Sequence, residues 1–586
     1  MNPHQHFPSP ATGRRQPPAL TSHHLLIAQD PTFRALLSSA MQVLKPTSER
    51  EKAANDIGQA EALGDDVLQP KDAVLDAATK GQALTGYETL TPWETFKVFK
   101  WCTFYAFVAA FAAGADGYQI GMNAGILANP GFVEQFATKI NAEGKAVLDS
   151  NIIAGWGSVL PAGQFLTQVS LPFLAAPYGR KLSLYTCWTL LAASIFAESF
   201  ARRWEHWLVA KMLAGMGLGC LQVTLPAYIS EIAPTRIRGI VLMTYNLWWT
   251  VGTFFAYVAM EVISGYDSHN WLLPIYTQWG HIGLMLVIFL ILPESAAWAV
   301  SAGKIETARK ALRQLYRGVD NYNVDQQIEV LVLLADHETQ VAIAQNREKW
   351  YAVFRGTDGF RTIVACWTIV SQQFTGLVLF STFGAYFFQQ AGVGDPFQIK
   401  CITLGIKLVA AIAVVYYADS FGRRLISCSG ITSMWGTSFL VGILGVVPRV
   451  KAVNYVFILM AVIWNIGLTM TGATGWGFIG EISSQRLRPY TSGAAAALNC
   501  LVNIAMNQLV PHMVNASEWN WGLKSGFFYA GVGLPFAVGC WFIVPETARR
   551  SAAELDELFE RKVTPRRFHK TETATQRVVA LNNAEN

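Results

Sequence analysis

From residue 101 onward, long apolar stretches alternate with short polar intervals. A helix needs roughly 20 mostly apolar residues to cross a bilayer, because it rises ~1.5 Å per residue and the hydrocarbon is ~30 Å thick. Twelve stretches reach that length: 101–124, 152–175, 182–200, 206–229, 240–262, 271–292, 362–388, 397–418, 425–447, 453–478, 490–511 and 525–544. The third stretch and the boundary between the fifth and sixth are the least sharply marked. The pattern predicts an all-α membrane protein with twelve transmembrane helices.

The polar intervals repeat. "YISEIAPTRIRG" at 228–239 returns as "FIGEISSQRLRP" at 478–489, "LAAPYGRKL" at 174–182 as "YYADSFGRRL" at 416–425, and "PESAAW" at 293–298 as "PETARR" at 545–550. Three echoes in the same order predict two pseudo-symmetric six-helix bundles. Transporters are commonly built from such repeats, with the substrate site between them near the midplane. The expected organisation is a cytoplasmic, unstructured tail over 1–95, bundles over 96–296 and 361–546, a charged helical linker over 297–360, and a cytoplasmic tail over 547–586. Within it, "TPWETFKVFKW" at 91–101 reads as a short amphipathic helix entering the first span.

Composition agrees with this picture. The 586 residues are 52% hydrophobic and 15% charged, against roughly 25% charged in soluble domains. The net charge of +5 reflects basic residues in short loops, which argues against nucleic acid as a partner. Arg180, Lys181, Arg236, Arg238, Arg423, Arg424, Arg486 and Arg488 lie on one side together with the linker and the C-terminal tail, and positive-inside bias makes that side cytoplasmic. An even number of spans puts both termini there. The N-terminal sequence lacks the apolar core of a signal peptide. The eight cysteines have no paired spacing and read as small apolar packing residues. With no nucleotide-binding loop, metal-ligand cluster or nucleophile–base arrangement, the sequence suggests neither an ATP-driven pump nor an enzyme, and it calls for no cofactor beyond a proton gradient.

From about residue 100 to 570 the chain resembles the sugar porter branch of the major facilitator superfamily. The resemblance rests on "KMLAGMGLGCLQVTLPAYISEIAPTRIRG" at 211–239, on Gln372, Gln373 and Gly376, and on Asp419, Gly422, Arg423 and Arg424. "WNWGLKSGFFYAG" at 519–531 and the segment 544–568 are similar to the fungal maltose permease and general α-glucoside:proton symporter group. This resemblance implies a multi-pass plasma-membrane carrier of a sugar, with alternating access driven by protons. It also implies an inner gate at Glu231, Arg238, Asp419, Arg423, Arg424, Glu481 and Arg488. Gating competes here with a bland role for the arginines as helix anchors. Ala176, Pro177, Ala296 and Pro489 depart from the family pattern and predict a weaker or lopsided latch.

Ionisable groups at membrane depth are costly and point to function. By the resemblance, Asp116 corresponds to the family's first-span proton carrier and Lys211 to its fourth-span cation. The competing role is a static Asp116–Lys211 pair between two helices. Sugar recognition needs amides for hydroxyls and an aromatic face for stacking. Gln372, Gln373, Trp476 and Asn499 match such positions, Asn246 stands where a longer Gln is usual, and Val378 replaces an expected Asn. Asn465, Asn503, Asn507 and Gln508 are further amides that serve either the cavity or helix–helix bonding. Lys407, twelve residues from Asp419 and so ~18 Å along the helix, falls near mid-membrane. It reads either as a cation for an anionic substrate or as a lysine that snorkels or pairs. Asn515 opens an Asn-X-Ser glycosylation sequon in an extracellular loop. Two alternatives to sugar import stay open: transport of a non-sugar or anionic metabolite, in either direction, and a non-transporting sugar sensor.

Overall fold

The computed structural model describes residues 92–571, apart from 141–143, 145, 235–236, 320–321, 347–349, 391–394, 449, 484–486, 516–517 and 548–551. The side chains of 171–177, 415–420, 473–481 and 488–490 also lie outside the description. The expected N-terminal tail falls almost wholly outside the described residues.

A short helix, Pro92–Val98, leads into the first span, as the amphipathic pattern at 91–101 predicts. That span is two helices, α1 (Lys100–Ala110) and α2 (Ala113–Gly125). Spans two to six are α3 (Ser150–Tyr178), α4 (Arg180–Ser199), α5 (Trp204–Ile232), α6 (Arg238–Tyr266) and α7 (Leu272–Ile291). The linker contributes α8 (Ile305–Leu315) and α9 (Val324–Asn346). Span seven is α10 (Gly356–Phe374), a wide turn and α11 (Gly384–Gln390). Spans eight to twelve are α12 (Pro396–Phe421), α13 (Arg423–Leu444), α14 (Lys451–Ile482), α15 (Arg488–Val514) and α16 (Ser525–Ile543).

Among the described residues, eight of these helices are long and apolar enough to cross a bilayer without help. Four spans miss that standard, the first, second, third and seventh, and of these the first and seventh are each broken into shorter helices. Broken backbone is tolerated at membrane depth only where other groups satisfy it. In span seven, Gly376 takes a φ of 102°, and the freed carbonyl of Thr375 accepts from Trp464 Nε1 at 2.9 Å and Ser438 Oγ at 3.1 Å.

The echoed polar intervals build one clasp twice. Gly179 (φ 103°) joins α3 to α4, and Gly422 (φ 84°) joins α12 to α13, in a region that favours glycine. The carboxylate of Glu294 accepts from the backbone N–H of Arg180 and Lys181 at 3.1 and 3.2 Å. Glu546 does the same for Arg423 and Arg424 at 2.9 and 3.2 Å. Each acid thus neutralises orphan donors and the positive end of a helix dipole. In return, Lys181 Nζ donates to the carbonyl of Leu292 at 2.9 Å, and Arg424 Nη2 to that of Trp541 at 2.7 Å. The repeats therefore tie spans two, three and six of one half together, and spans eight, nine and twelve of the other.

The halves meet where α3 packs along α15 and α6 along α12. Toward the end of the bundle opposite the clasps, Gln508 Nε2 donates to Ser158 Oγ at 2.9 Å and Asn515 Nδ2 to Ser150 Oγ at 2.7 Å. The Cβ position of Gly157 comes within 2.7 Å of Asn507 Oδ1, a fit that needs glycine. That end of the seam is closed. Asn515 is 2% exposed and its amide nitrogen is engaged, so this conformation does not offer the Asn515 side chain to a glycan.

Candidate functional site

The first half holds two buried carboxylates in different company. Asp116, on α2, is 1% exposed. Its Oδ2 accepts from Gln222 Nε2 on α5 at 3.0 Å and from Tyr245 Oη on α6 at 3.1 Å, and its Oδ1 has no partner. Lys211 does not join it. Lys211 Nζ lies 3.0 Å from Glu198 Oε1 on α4, with both side chains fully buried, and 4.5 Å from the ring centroid of Trp207. The separation follows from helix geometry: Lys211 precedes Gln222 by eleven residues, ~16 Å along α5, and it is Gln222 that stands level with Asp116.

Glu198 is surrounded by donors. Gln119, Ser194 and Lys211 reach its Oε1, and Gln278 reaches Oε2 at 3.1 Å. Beside it is a small pocket, with room for about one water molecule, lined by Gln119, Gln278 and His281 among others, and Gln119 Oε1 and His281 Nε2 have no partner there. Sequence reasoning passed over Glu198, although a lone acid in the apolar run 182–200 was a signal that could have found it.

In the second half, two expected ligands meet: Gln373 Nε2 donates to Asn499 Oδ1 at 3.1 Å, leaving Gln373 Oε1 unpartnered. Gln372 is half-buried beside them. Across the seam, Asn246 Nδ2 lies 4.0 Å from the Cβ position of Gly472 on α14. Trp476 follows one turn later on that helix, with its side chain outside the described residues. The other amides favour the bland role. Asn465 donates to Ala461 O, Asn507 to Asn503, and Gln508 to Ser158. Val378 is fully buried in the wide turn of span seven.

Lys407 is turned inward and makes no ion pair among the described residues. It is 4% exposed on α12, with Nζ 4.7 Å from the ring centroid of Trp249 on α6. Trp249 sits one helical turn after Tyr245, the donor to Asp116, so one turn of span five faces both the acid and the cation.

Residues 105–559 match the family described as "Sugar (and other) transporter". The chain belongs to that family. This transporter is 25% identical to a general α-glucoside permease of Saccharomyces cerevisiae, across 88% of this chain and 84% of the relative. It is 28% identical to a maltose permease of the same yeast, across 85% and 82%. The inward-open structure of the xylose transporter XylE from E. coli superposes with a TM-score of 0.63 at 19% identity, covering 77% of this chain and 98% of XylE. The fold is that of the twelve-helix major facilitators.

At the helix ends that carry the echoed basic loops, Arg180 makes a two-nitrogen fork to Glu231, with Nη2 at 2.7 Å and Nε at 3.0 Å. Both residues belong to the first half, so this pair ties spans three and four. Arg238 makes no ion pair among the described residues, and its Nε is buried without a partner. Arg423 and Arg424 contribute to the clasp. The side chains of Asp419, Glu481 and Arg488 lie outside the described residues.

Proposed function

We propose that this chain imports a sugar or sugar-like polyol across the plasma membrane of a fungal cell, with both termini cytoplasmic and with protons driving alternating access. The observation that carries the coupling is the setting of Asp116. A buried carboxylate held only by neutral donors can take up a proton without leaving a neighbouring cation bare. Lys211, already neutralised by Glu198, does not compete for that charge. Protonating Asp116 weakens its hold on Gln222 and Tyr245, and so loosens span one from spans four and five.

Substrate recognition is assigned to Gln372, Gln373, Asn499, Asn246 and Trp476, amides for hydroxyls and an indole for a ring face. The names of the yeast relatives, a general α-glucoside permease and a maltose permease, favour an α-glucoside. The inner gate is assigned to the clasps and to Glu231 with Arg180, together with Arg238, Asp419, Arg423, Arg424, Glu481 and Arg488.

Uptake of radiolabelled maltose, glucose and xylose by a yeast strain lacking endogenous sugar carriers tests the reading. An uncoupler should abolish accumulation. The Asp116→Asn protein should still exchange substrate down its gradient but no longer concentrate it. Uphill accumulation by Asp116→Asn would remove the proton role, and no movement of any sugar or polyol would remove the transport reading.

A further inference from the structure

Span eight carries two buried lysines, not one. Lys400 and Lys407 are seven residues apart on α12, two turns along one face and ~10.5 Å of rise. Each is 4% exposed. That face meets span five of the opposite half, where Lys407 lies against Trp249 and Lys400 Nζ is 5.6 Å from the ring centroid of Tyr257. Lys400 also donates to the carbonyl of Phe380 at 2.7 Å and lies 5.7 Å from the centroid of Phe388. The chain makes room for this arrangement: a Cβ on Gly384 would stand 2.1 Å from Lys400 Nζ.

Neither ammonium has a carboxylate partner among the described residues. Lys211 shows how the same protein handles a buried cation it only has to store, by giving it Glu198 inside a shell of further donors. Desolvating an ammonium costs several kcal/mol, whereas a cation–π contact returns about 0.5–2 kcal/mol. Two such groups on one face between the moving halves lack an anion. The residues around them suit a ligand that is polar elsewhere. Asn246 precedes Trp249 by one turn on α6, and the Gln373–Asn499 pair belongs to the half that carries both lysines.

We propose that Lys407, with Lys400 two turns nearer the outer face, binds the carboxylate of the transported molecule, which makes the preferred substrate a sugar acid of the aldonate or uronate class. This rests on the reading of the same seam as a polyol site. Charge balance gives it a separate signature. A monoanion entering with one proton moves no net charge, whereas a neutral sugar with one proton moves one positive charge.

The test uses the full chain in proteoliposomes with D-gluconate and D-glucuronate as probes and glucose and maltose as neutral comparators. Gluconate uptake should exceed glucose uptake and be indifferent to a valinomycin-imposed potential. The gluconate-to-glucose ratio should fall about tenfold or more in Lys407→Met, the value of one charge-assisted contact, and recover in Lys407→Arg. Gluconate should also raise the Tm of the wild-type chain and not that of Lys407→Met. Removing an uncompensated charge should not unfold the protein, and the Tm series checks this directly. If neutral sugars move while gluconate is neither moved nor bound, or if the ratio is unchanged in Lys407→Met, the inference is overturned and the polyol reading survives. If neither class is moved or bound, both fall.

Discussion

Three buried cations illustrate how far single residues can be read in advance. Membrane depth made Lys407 conspicuous and the family resemblance picked out Lys211, but their partners depend on which helices become neighbours. Lys211 belongs with Glu198 because spans three and four are adjacent and both residues lie toward the turn that joins them. Asp116 meets span four eleven residues further on. Lys400 escaped attention because it stands only four residues into its helix, where a sequence cannot distinguish a snorkelling lysine from one turned inward against Tyr257. The Glu198–Lys211 pair is testable by itself. Glu198→Gln or Lys211→Met should each cost about 3–5 kcal/mol, because each leaves a buried charge uncompensated. The double variant should recover most of that loss. Thermal unfolding in detergent measures all three, and single variants as stable as the parent would show that the pair is dispensable.

At the scale of elements, the bilayer makes span positions legible, since hydrocarbon thickness fixes the length of each apolar run. The third span, least clear in the sequence, forms as Arg180–Ser199, and the uncertain fifth–sixth boundary falls at the turn between Tyr266 and Leu272. The breaks in spans one and seven were not legible, because the groups that satisfy Thr375 come from Trp464 and Ser438, about 60 to 90 residues away. The clasps were visible as repeats, and their partners were not. Gly422→Ala should lower Tm, since alanine is strained by ~1–3 kcal/mol at φ 84° and ψ 147° and its Cβ would stand 2.6 Å from Glu546 Oε2. Gly436→Ala on the same helix meets nothing within 4 Å and should be neutral or slightly stabilising. Equal effects at the two sites would argue that the clasp is not a tight joint.

For the whole molecule, the twofold repeat makes each half a unit and leaves the seam as the place where motion is concentrated. The end of that seam opposite the clasps is closed by Ser158 with Gln508 and by Ser150 with Asn515. Paired cysteines at Ser158 and Gln508 should therefore lock the transporter on oxidation and release it on reduction, with each single cysteine remaining active. Flux that continues through the oxidised pair would contradict rocking of the halves. The buried ion pair also bears on how the chain enters the membrane during synthesis. Glu198 and Lys211 are thirteen residues apart on consecutive helices, joined by the short turn at Phe200–Arg203. Inserted separately, each charge would resist entry by up to ~2.5–3.5 kcal/mol. Inserted together as a hairpin, they arrive already cancelled, so the third and fourth helices form a natural unit of biogenesis, and a variant lacking either charge would be handicapped before folding begins.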